Sequence, residues 1–192
     1  MRNFIIIIGT IWLGCSFGHL AAQGKQAPPE SNPVQWYSIE TADSLRGKTP
    51  KKIFIDVYTD WCGWCKVMDR NTFSDPKVAE YLNRHFYPVK LNAEQKTPIK
   101  FDGHTFNFMP EHRSHELAIA LLQGQMSYPN IVYMNEEGQP IQAVPGYQTP
   151  EVILPILVFF AENHYQKLSW EDYNKSIWPT HPENKQAVGG SQ

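Results

Sequence analysis

Short apolar runs that are bounded by polar residues predict the strands of this chain. The clearest run is KKIFIDVYTD (51–60), in which Ile53, Phe54, Ile55 and Val57 lie too close together to share one face of a strand. Such a run is typical of a strand that is buried on both faces. Similar runs predict the other strands: VQWYS (34–38), YPVKLN (87–92), and two strands within PNIVYMNEEGQPIQAVPGY (129–147) around a turn at 135–138.

Helices are predicted where apolar residues recur at helical spacing next to capping signals. Asp75 followed by Pro76 is a typical helix start, and Thr149 followed by Pro150 is another. An Asp-Gly turn within FDGHTFNF (101–108) predicts a small hairpin. The predicted helices cover SIETADSLRG (38–47), residues 62–70, residues 75–85, EHRSHELAIALLQG (111–124) and TPEVILPILVFFAENHY (149–165).

The order of these elements predicts the fold class. Strands and helices follow one another as β-α-β-α-β-α-β-β-α, which is typical of an α/β fold with a mixed central β-sheet flanked by helices. The final hairpin is expected at one edge of the sheet. A small insert at about residues 96–115 and a C-terminal tail, residues 166–192, extend this pattern. We therefore expect one domain, residues 34–165, with these additions.

The N-terminal residues 1–22 have the pattern of a signal peptide. Arg2 provides a positive charge, FIIIIGTIWLGCSFG provides an apolar stretch, and small residues end at Ala22, after which cleavage is expected. The polar, proline-rich residues 23–33 then predict a linker. This pattern predicts an exported protein, with the periplasm as the expected location. An uncleaved membrane anchor and lipidation at Cys15 remain alternatives.

The balance of charged residues argues against one class of partner. The chain has 192 residues, with 17 Lys and Arg against 19 Asp and Glu, which gives a formal net charge of −2. Binding to nucleic acid through its phosphates normally requires a basic excess. We therefore expect no nucleic-acid partner. These features do not predict an oligomeric state.

The chain contains three cysteines, and two of them lie close together. Cys62 and Cys65 are separated by two residues within TDWCGWCKVMD (59–69). The third, Cys15, is lost if the signal peptide is removed. The mature protein would then contain the Cys62 and Cys65 pair in a compartment where disulfides persist.

The position of this pair favours thiol chemistry. Cys62 follows the predicted buried strand and begins a predicted helix, where free N–H groups and the helix dipole favour a thiolate. Cys65 lies one turn further along the same helix face, near enough to attack a mixed disulfide formed at Cys62. Because only the thiolate exchanges with disulfides, the pair would provide a nucleophile and a resolving thiol.

Two other uses of the pair remain open at this point. A purely structural disulfide between Cys62 and Cys65 would close a very short loop and remove little entropy from the unfolded chain. A zinc site would need two further ligands, for which His112 and His115 have a suitable spacing and His104 lies nearby. Histidines on a polar loop and at a helix start are more often ordinary surface residues. We therefore predict no metal site.

The sequence IFIDVYTDWCGWCK (53–66) resembles the active-site strand and helix of thioredoxin, where a strand with a buried aspartate leads into W-C-x-x-C-K. The resemblance covers about residues 34–165 and is closest, through NTFSDPKVAEYL (71–82), to the C-terminal thioredoxin-like domain of the membrane disulfide reductase DsbD and related exported proteins. It implies a thioredoxin fold. Three further segments are similar to parts of that family: VKLN (89–92) to the strand with a lysine near the buried acid, SYPN (127–130) to the segment with a cis-proline, and PGY (145–147) to the glycine before the last helix.

The resemblance implies a role for each residue of the candidate active site. Cys62 is similar to the attacking thiol and Cys65 to the resolving thiol. Asp56 matches the buried acid that helps to move a proton to or from the second cysteine. The pKa of Asp56 should rise on burial, unless the nearby Lys90 opposes this. No bound cofactor is implied, because the dithiol itself carries two electrons.

The resemblance also implies a surface that binds the substrate. Pro129 would follow a cis Tyr128–Pro129 peptide bond and present neighbouring backbone to a substrate chain, which could pair with it as an added strand. Trp61 flanks the cysteine pair as it does in the family. Gly63 and Trp64 stand where thioredoxin has Gly-Pro. This difference affects the expected redox potential rather than the class of activity.

Two hypotheses for the function follow. The first is an exported thiol–disulfide oxidoreductase that exchanges electrons with the disulfides or thiols of client proteins, with reduction as the expected direction and a membrane electron donor to recycle it. The alternative is a binding or chaperone-like module that keeps the thioredoxin scaffold without essential redox chemistry. Its support is the insert, where Phe106, Phe108 and Met109 form an apolar cluster that could contact a partner or pack in the core.

Overall fold

The computed structural model of the protein describes residues 32–184. The predicted signal peptide, most of the linker, Cys15 and residues 185–192 lie outside this range, so the predictions made for them stay predictions. The same holds for the predicted domain boundaries. Over the described range, no helix has the length and apolar character that crossing a lipid bilayer requires.

Capping residues mark several helix starts. The Asp75 carboxylate accepts hydrogen bonds from the backbone N–H groups of Lys77 and Val78. Pro76, which follows Asp75, occupies the first helical position. This start agrees with the one predicted. The α-helices are α1 (Ile39–Arg46), α2 (Gly63–Asn71), α3 (Pro76–His85), α4 (Glu116–Leu121), α5 (Pro150–Ala161) and α6 (Trp170–Ser176).

The strands form a mixed central sheet and two small sheets in the insert. They are β1 (Lys52–Tyr58), β2 (Phe86–Asn92), β3 (Ile99–Phe101), β4 (His104–Phe106), β5 (Phe108–Met109), β6 (Ser114–His115), β7 (Asn130–Met134) and β8 (Pro140–Pro145). Within residues 32–184, the main sheet has four strands in the order β2-β1-β7-β8. β1 is parallel to β2 and antiparallel to β7, and β7 is antiparallel to β8. The final hairpin therefore lies at one edge, as predicted.

The core lies on both faces of this sheet. Side chains of β1 alternate between the two faces, so that Phe54 faces one side and Ile53 and Ile55 face the other. The side of Phe54 is covered by α2, α3 and α5. The side of Ile53 is covered by α1, α4 and β3. This arrangement explains why the β1 sequence is almost continuously apolar.

The insert contains a hairpin that is close to the predicted one. β3 and β4 pair in antiparallel fashion around Asp102 and Gly103, which both have positive φ angles. The Arg46 guanidinium at the end of α1 contacts the carboxylates of Asp43 and Asp102, so that it ties this hairpin to α1. β5 and β6 form a second short antiparallel pair.

The prediction of a strand at residues 34–38 was wrong. Tyr37 forms an isolated bridge with β2, in which its N–H donates to the Pro88 carbonyl at 2.8 Å. The N–H of Gln35 donates to the side chain of Asn83 instead of to a strand. The segment therefore crosses the edge of β2 at one point and does not extend the sheet.

The predicted start of α4 was also wrong. The helix begins at Glu116 rather than at residue 111. Arg113 has a positive φ of 49°, which is incompatible with a continuing helix. Ser114 and His115 then pair with β5 as strand β6. The apolar spacing from Leu117 onward was a correct signal, but the polar residues before it belong to a turn and a strand.

The segment after α5 folds onto the same core. α5 ends at Ala161 rather than at the predicted residue 165, because Asn163 adopts a left-handed conformation with a φ of 61°. α6 follows in the segment that was predicted as a tail. Its Tyr173 is fully buried, and its ring centre lies 5.0 Å from that of Phe159 in α5. This segment therefore contributes an aromatic layer to the core.

We expect Tyr173→Ala to lower the free energy of unfolding by about 3–5 kcal/mol, because it removes a buried aromatic ring. Tyr173→Phe keeps the ring and should lower it by less than about 1.5 kcal/mol. Lys175→Ala changes an exposed residue of the same helix and serves as the control. Denaturant unfolding followed by circular dichroism measures all three. Equal stability of Tyr173→Ala and Lys175→Ala would contradict a core role for this segment.

Candidate active site

Cys62 and Cys65 form a disulfide at the start of α2. Cys62 is the capping residue of this helix, and its sulfur accepts a hydrogen bond from the backbone N–H of Cys65 at 3.1 Å. Both residues are nearly buried, with 4% and 3% of their surface exposed. The disulfide thus lies where the central strand β1 leads into the helix. In the reduced protein the same N–H and the helix dipole would favour negative charge on the Cys62 sulfur.

Exposed tryptophans stand on either side of Cys62 in the sequence. Trp61 and Trp64 have 66% and 60% of their surface exposed. The indole Nε1 of Trp61 donates a hydrogen bond to Glu94 at 3.0 Å, and its ring meets the Tyr128 ring edge-on. The ring centre of Trp64 lies 5.3 Å from that of Tyr147. Exposed aromatic surface of this kind is typical of a site that contacts another molecule.

The peptide bond between Tyr128 and Pro129 is cis, as predicted. The Pro129 carbonyl accepts a hydrogen bond from the N–H of Gly146 at 2.8 Å, which joins this segment to the residues before α5. Trp64 and Tyr147 complete a shallow, mainly apolar groove with these three residues. The structure therefore brings together Trp64, Tyr128 and Pro129, which were predicted to bind substrate.

A second groove also includes Tyr128, and the insert forms part of its wall. Trp61 and Glu94 line it together with residues 112–114 and Met126. Gly63, the remaining predicted binding residue, is exposed, and apart from its chain neighbours and the backbone of α2 no atom lies within 4 Å of the position that a Cβ would occupy there. The predicted binding residues are thus distributed around the two grooves and the exposed first turn of α2.

The predicted apolar cluster of the insert, Phe106, Phe108 and Met109, lies outside the two grooves. Phe106 packs against the core on the α1 side of the sheet. Phe108 and Met109 form β5 and are half-buried, and the ammonium of Lys96 lies over the Phe108 ring. The residues that line the two grooves in the described part of the chain do not include these three.

Asp56 is buried in the middle of β1, as predicted, with 1% of its surface exposed. It faces the same side of the sheet as Phe54, which is the side covered by α2. Lys90 stands opposite Asp56 on β2, and its Nζ lies 2.9 Å from the Asp56 Oδ2. Lys90 also forms an ion pair with Asp69 of α2. This cation therefore bridges a buried carboxylate and an exposed one.

The surroundings of this pair shift both pKa values. Burial raises the pKa of Asp56 to about 6, although the positive charge of Lys90 acts in the opposite direction. Burial alone would lower the pKa of Lys90, but its ion pairs with Asp56 and Asp69 raise it overall. Lys90 therefore stays charged, whereas Asp56 exchanges a proton within the range of ordinary working pH.

Sequence reasoning did not single out Asp69, Glu94 or Tyr147. Asp69 lies four residues after Cys65 and hence on the same helix face, which is a signal that could have identified it. Tyr147 belongs to the PGY segment, but its contact with a tryptophan depends on how two distant segments meet. The bond from Trp61 to Glu94 likewise depends on the turn that follows β2.

The histidines that were considered as zinc ligands have different environments. His115 is fully buried, and its ring nitrogens are hydrogen-bonded to the Thr97 carbonyl and the Leu117 N–H. His112 and His104 are exposed. Within the described part of the chain, no group of three or more His, Cys, Asp or Glu side chains is arranged to hold a metal ion.

We expect Asp56 to make the stability of the oxidised protein depend on pH. Because its pKa is raised in the folded state, the folded protein binds this proton more tightly than the unfolded chain does. The stabilising contribution is present below the unfolded pKa and is lost as the pH rises through about 6. For this shift the effect is on the order of 2–3 kcal/mol. Asp56→Asn should remove it.

Guanidinium unfolding of the wild type and of Asp56→Asn at about pH 4, 5.5 and 7 measures this effect. The variant should gain stability relative to the wild type as the pH rises. Asp60→Asn, which changes an exposed carboxylate nearby, is the matched control and should follow the wild type. An Asp56→Asn protein that also follows the wild type at every pH would show that Asp56 does not titrate in this way.

Two known proteins share parts of this sequence. The thiol:disulfide interchange protein DsbD of Pectobacterium atrosepticum is 40% identical over 116 residues, which are 59% of this chain and 17% of that protein. Spermatogenesis-associated protein 20 of Homo sapiens is 33% identical over 70 residues, which are 35% of this chain and 9% of that protein. The chain therefore spans less than a fifth of the length of either relative.

Two solved structures resemble the structure of this chain. One, described as DsbH oxidoreductase, has a TM-score of 0.54 at 16% identity and covers 72% of this chain and 92% of its own. The other is a thioredoxin-fold protein from Helicobacter pylori, with a TM-score of 0.53 at 19% identity, covering 72% of this chain and 85% of its own. These likenesses confirm the predicted thioredoxin fold, with its mixed central sheet between helices.

A family model identifies the group to which the sequence belongs. The model named Thioredox_DsbH, described as a protein of unknown function, DUF255, matches residues 27–159. This match covers more than half of the chain, including β1, the cysteine pair and β7. It confirms the resemblance to thioredoxin-like proteins that was inferred from the sequence. The chain belongs to the Thioredox_DsbH (DUF255) family.

Proposed function

We propose that this protein is a thiol–disulfide oxidoreductase that reduces disulfides in exported client proteins. The observation that supports this most directly is the disulfide between Cys62 and Cys65 at the cap of α2, together with the contacts of the neighbouring Trp61 and Trp64 with the Tyr128–Pro129 segment. A thiol pair in this position exchanges electrons by forming and breaking disulfides. The reaction needs no bound cofactor, because the pair itself holds two electrons.

The reaction has two exchange steps. The Cys62 thiolate attacks one sulfur of the client disulfide, so that the client S–S bond breaks, a mixed disulfide forms and one client thiolate leaves. The Cys65 thiolate then attacks the Cys62 sulfur. This second step releases the other client thiolate and closes the Cys62–Cys65 disulfide. Two electrons pass to the client, whose two thiolates take up protons.

Asp56 is the proposed proton acceptor for Cys65. The resolving thiol must lose its proton before it attacks, and Asp56 lies on the face of the sheet that α2 covers. With a pKa of about 6, its carboxylate is ionised at neutral pH and is basic enough to take a proton. Lys90 stabilises the ionised form through its ion pair at 2.9 Å. We therefore place Asp56 and Lys90 in the catalytic set.

The aromatic surface around the disulfide is the proposed client-binding site. In the sequence, the nearly buried Cys62 stands between Trp61 and Trp64, whose side chains are exposed. An extended segment of the client would cross these side chains to reach Cys62. Gly63 leaves open space in the first turn of α2. Tyr128 and Pro129 line the adjoining groove, where backbone pairing with the client would orient its disulfide.

The direction and the partners are part of the same proposal. The name of the DsbD relative, a thiol:disulfide interchange protein, agrees with this reaction class. Each reduction leaves the Cys62–Cys65 disulfide oxidised, so a dithiol donor must reduce it again. For an exported protein we propose a membrane protein that carries such a dithiol. The signal-peptide pattern of residues 1–22 supports export to the periplasm.

We expect Cys65→Ser to trap mixed disulfides between Cys62 and client proteins in cells, because the resolving thiol is absent. Acid quenching followed by non-reducing gels and mass spectrometry detects these adducts. Cys62→Ser is the matched control and should give few adducts, because the attacking thiol is missing. The proposal fails if Cys65→Ser forms no adducts although its Cys62 reacts readily with iodoacetamide.

The reduction potential should mark the protein as a reductant. We expect a value near that of thioredoxin, at about −270 mV, rather than near that of DsbA, at about −120 mV. Equilibration in defined thiol buffers, followed by tryptophan fluorescence, measures it, because Trp61 and Trp64 flank the sulfurs. A value near the DsbA end would reverse the proposed direction and make the protein a disulfide donor.

A further inference from the structure

His115 is a buried residue that joins the insert to the segment after β2 and to α4. Its backbone N–H donates a hydrogen bond to the Ala93 carbonyl at 2.6 Å. Its ring Nε2 lies 3.2 Å from the Thr97 carbonyl, and its Nδ1 accepts a hydrogen bond from the N–H of Leu117 at 3.3 Å. The backbone of His115 is thus joined to the residue after β2, and its side chain joins the beginning of the insert at Thr97 to the start of α4.

These partners fix the protonation state of the ring. A backbone N–H can only donate, so the nitrogen that faces Leu117 must be unprotonated. A carbonyl can only accept, so the nitrogen that faces Thr97 must carry the proton. The observed bonds therefore require the neutral ring with its proton on Nε2. A second proton on the His115 ring would direct an N–H at the N–H of Leu117 and remove the cap of α4.

Residues next to His115 and next to its partner Ala93 belong to the client-binding surface. Ala93 precedes Glu94, whose carboxylate accepts the hydrogen bond from the Trp61 indole. Ser114, which precedes His115, lines the same groove as Trp61 and Tyr128. The Trp61 and Tyr128 rings also contact each other, with their centres 5.9 Å apart. Movement at His115 would therefore be transmitted to both walls of that groove.

The charges around the ring act in opposite directions. Burial lowers the pKa of His115, whereas the Thr97 carbonyl and the carboxylates of Glu116 on α4 and Glu40 on α1 raise it. Burial is the largest effect, so the pKa is lowered overall. On the side of the insert, Lys96 stands next to Thr97 and directs its ammonium to the Phe108 ring. The neutral ring is thus favoured in the folded protein.

We propose that His115 is a positioning residue for the exchange reaction. Its neutral ring, bonded to Thr97 and Leu117, fixes the His115 backbone that holds Ala93, so that the neighbouring Glu94 and Ser114 keep Trp61 and Tyr128 in place. Protonation of the ring loosens this surface. The inference rests on the proposed function for its effect on rate. Its structural part, the connection between the His115 ring and Trp61, is independent of that function.

The pH range follows from the direction of the shift. A histidine with a lowered pKa in the folded state contributes stability that is present above the unfolded pKa, at about 6.5. That contribution is lost as the pH falls through the lowered folded value. The insert is therefore held firmly at neutral pH and is released in acid.

The first test follows the Trp61 indole N–H and the His115 ring by NMR while the full-length oxidised protein is titrated from about pH 8 to pH 4. We expect both signals to change with the same midpoint, below that of free histidine. In His115→Asn the side-chain oxygen can still cap α4 but the titration is absent, so the shared transition of Trp61 should disappear. His104→Asn changes an exposed histidine of the same insert that lines neither groove, and it should keep the shared transition.

The second test compares rates at which the reduced proteins react with a peptide disulfide over the same pH range. The ratio of the His115→Asn rate to the wild-type rate should rise about fivefold from neutral to acid pH, the size of the loss of one hydrogen bond. The corresponding ratio for His104→Asn should stay constant. The inference would be overturned by a ratio for His115→Asn that is constant with pH, or by a Trp61 signal that does not change with the midpoint of the His115 titration. If no protein reacts with the peptide but the NMR transition is shared, the proposed function fails and the positioning contact stands.

Discussion

The pairing of β1 on both of its edges is the constraint on which the rest of the structure depends. β1 hydrogen-bonds to β2 on one side and to β7 on the other, and helices cover both of its faces. Its end is therefore fixed from every direction. Cys62 lies four residues after Tyr58, so β1 fixes its position as the cap of α2. The position of the reactive sulfur is therefore set by a buried central strand.

The same strand carries the group whose placement opposes stability. An ionised carboxylate inside an apolar layer is unfavourable, and the Asp56 side chain is almost completely buried on β1. Lys90 reduces this penalty from the neighbouring strand, and it is itself anchored at the surface by Asp69. The rings of Trp36, Tyr58 and Phe73 surround its ammonium. The fold therefore maintains one titratable acid beneath α2 by building a shielded cation beside it.

The sequence predicted the parts of the fold that are encoded locally. The uninterrupted apolar run of β1, the Asp75–Pro76 helix start and the cysteine pair after β1 each carry their own signal, and all of them were located correctly. Errors arose where the secondary structure depends on pairing with residues that are distant along the chain. Residues 34–38 have strand-like composition, yet their backbone meets β2 at a single bridge.

The contacts of the candidate site likewise include some that could be predicted from the sequence and some that could not. The burial of Asp56 and its pairing with Lys90 could be predicted, because both lie on strands with recognisable sequences. The contacts of Glu94 and His115 could not, since they depend on how the insert returns to the end of β2. Hydrogen bonds between residues that are distant along the chain leave no periodic pattern in the sequence. The resemblance to thioredoxin also gives no guide to a segment that thioredoxin lacks.

The open space at Gly63 has a consequence for how such a protein can change over generations. A Cβ added there would meet no atom within 4 Å apart from its chain neighbours and the backbone of α2, and Trp64 is largely exposed. Substitutions between the two cysteines therefore remove little core packing, whereas the intervening residues strongly influence a thiol pair. The reduction potential of the cysteine pair and the stability of the fold can therefore change independently in this scaffold. For the proposed exchange reaction, substitutions at these two positions change the reduction potential while the stability of the fold stays under independent selection.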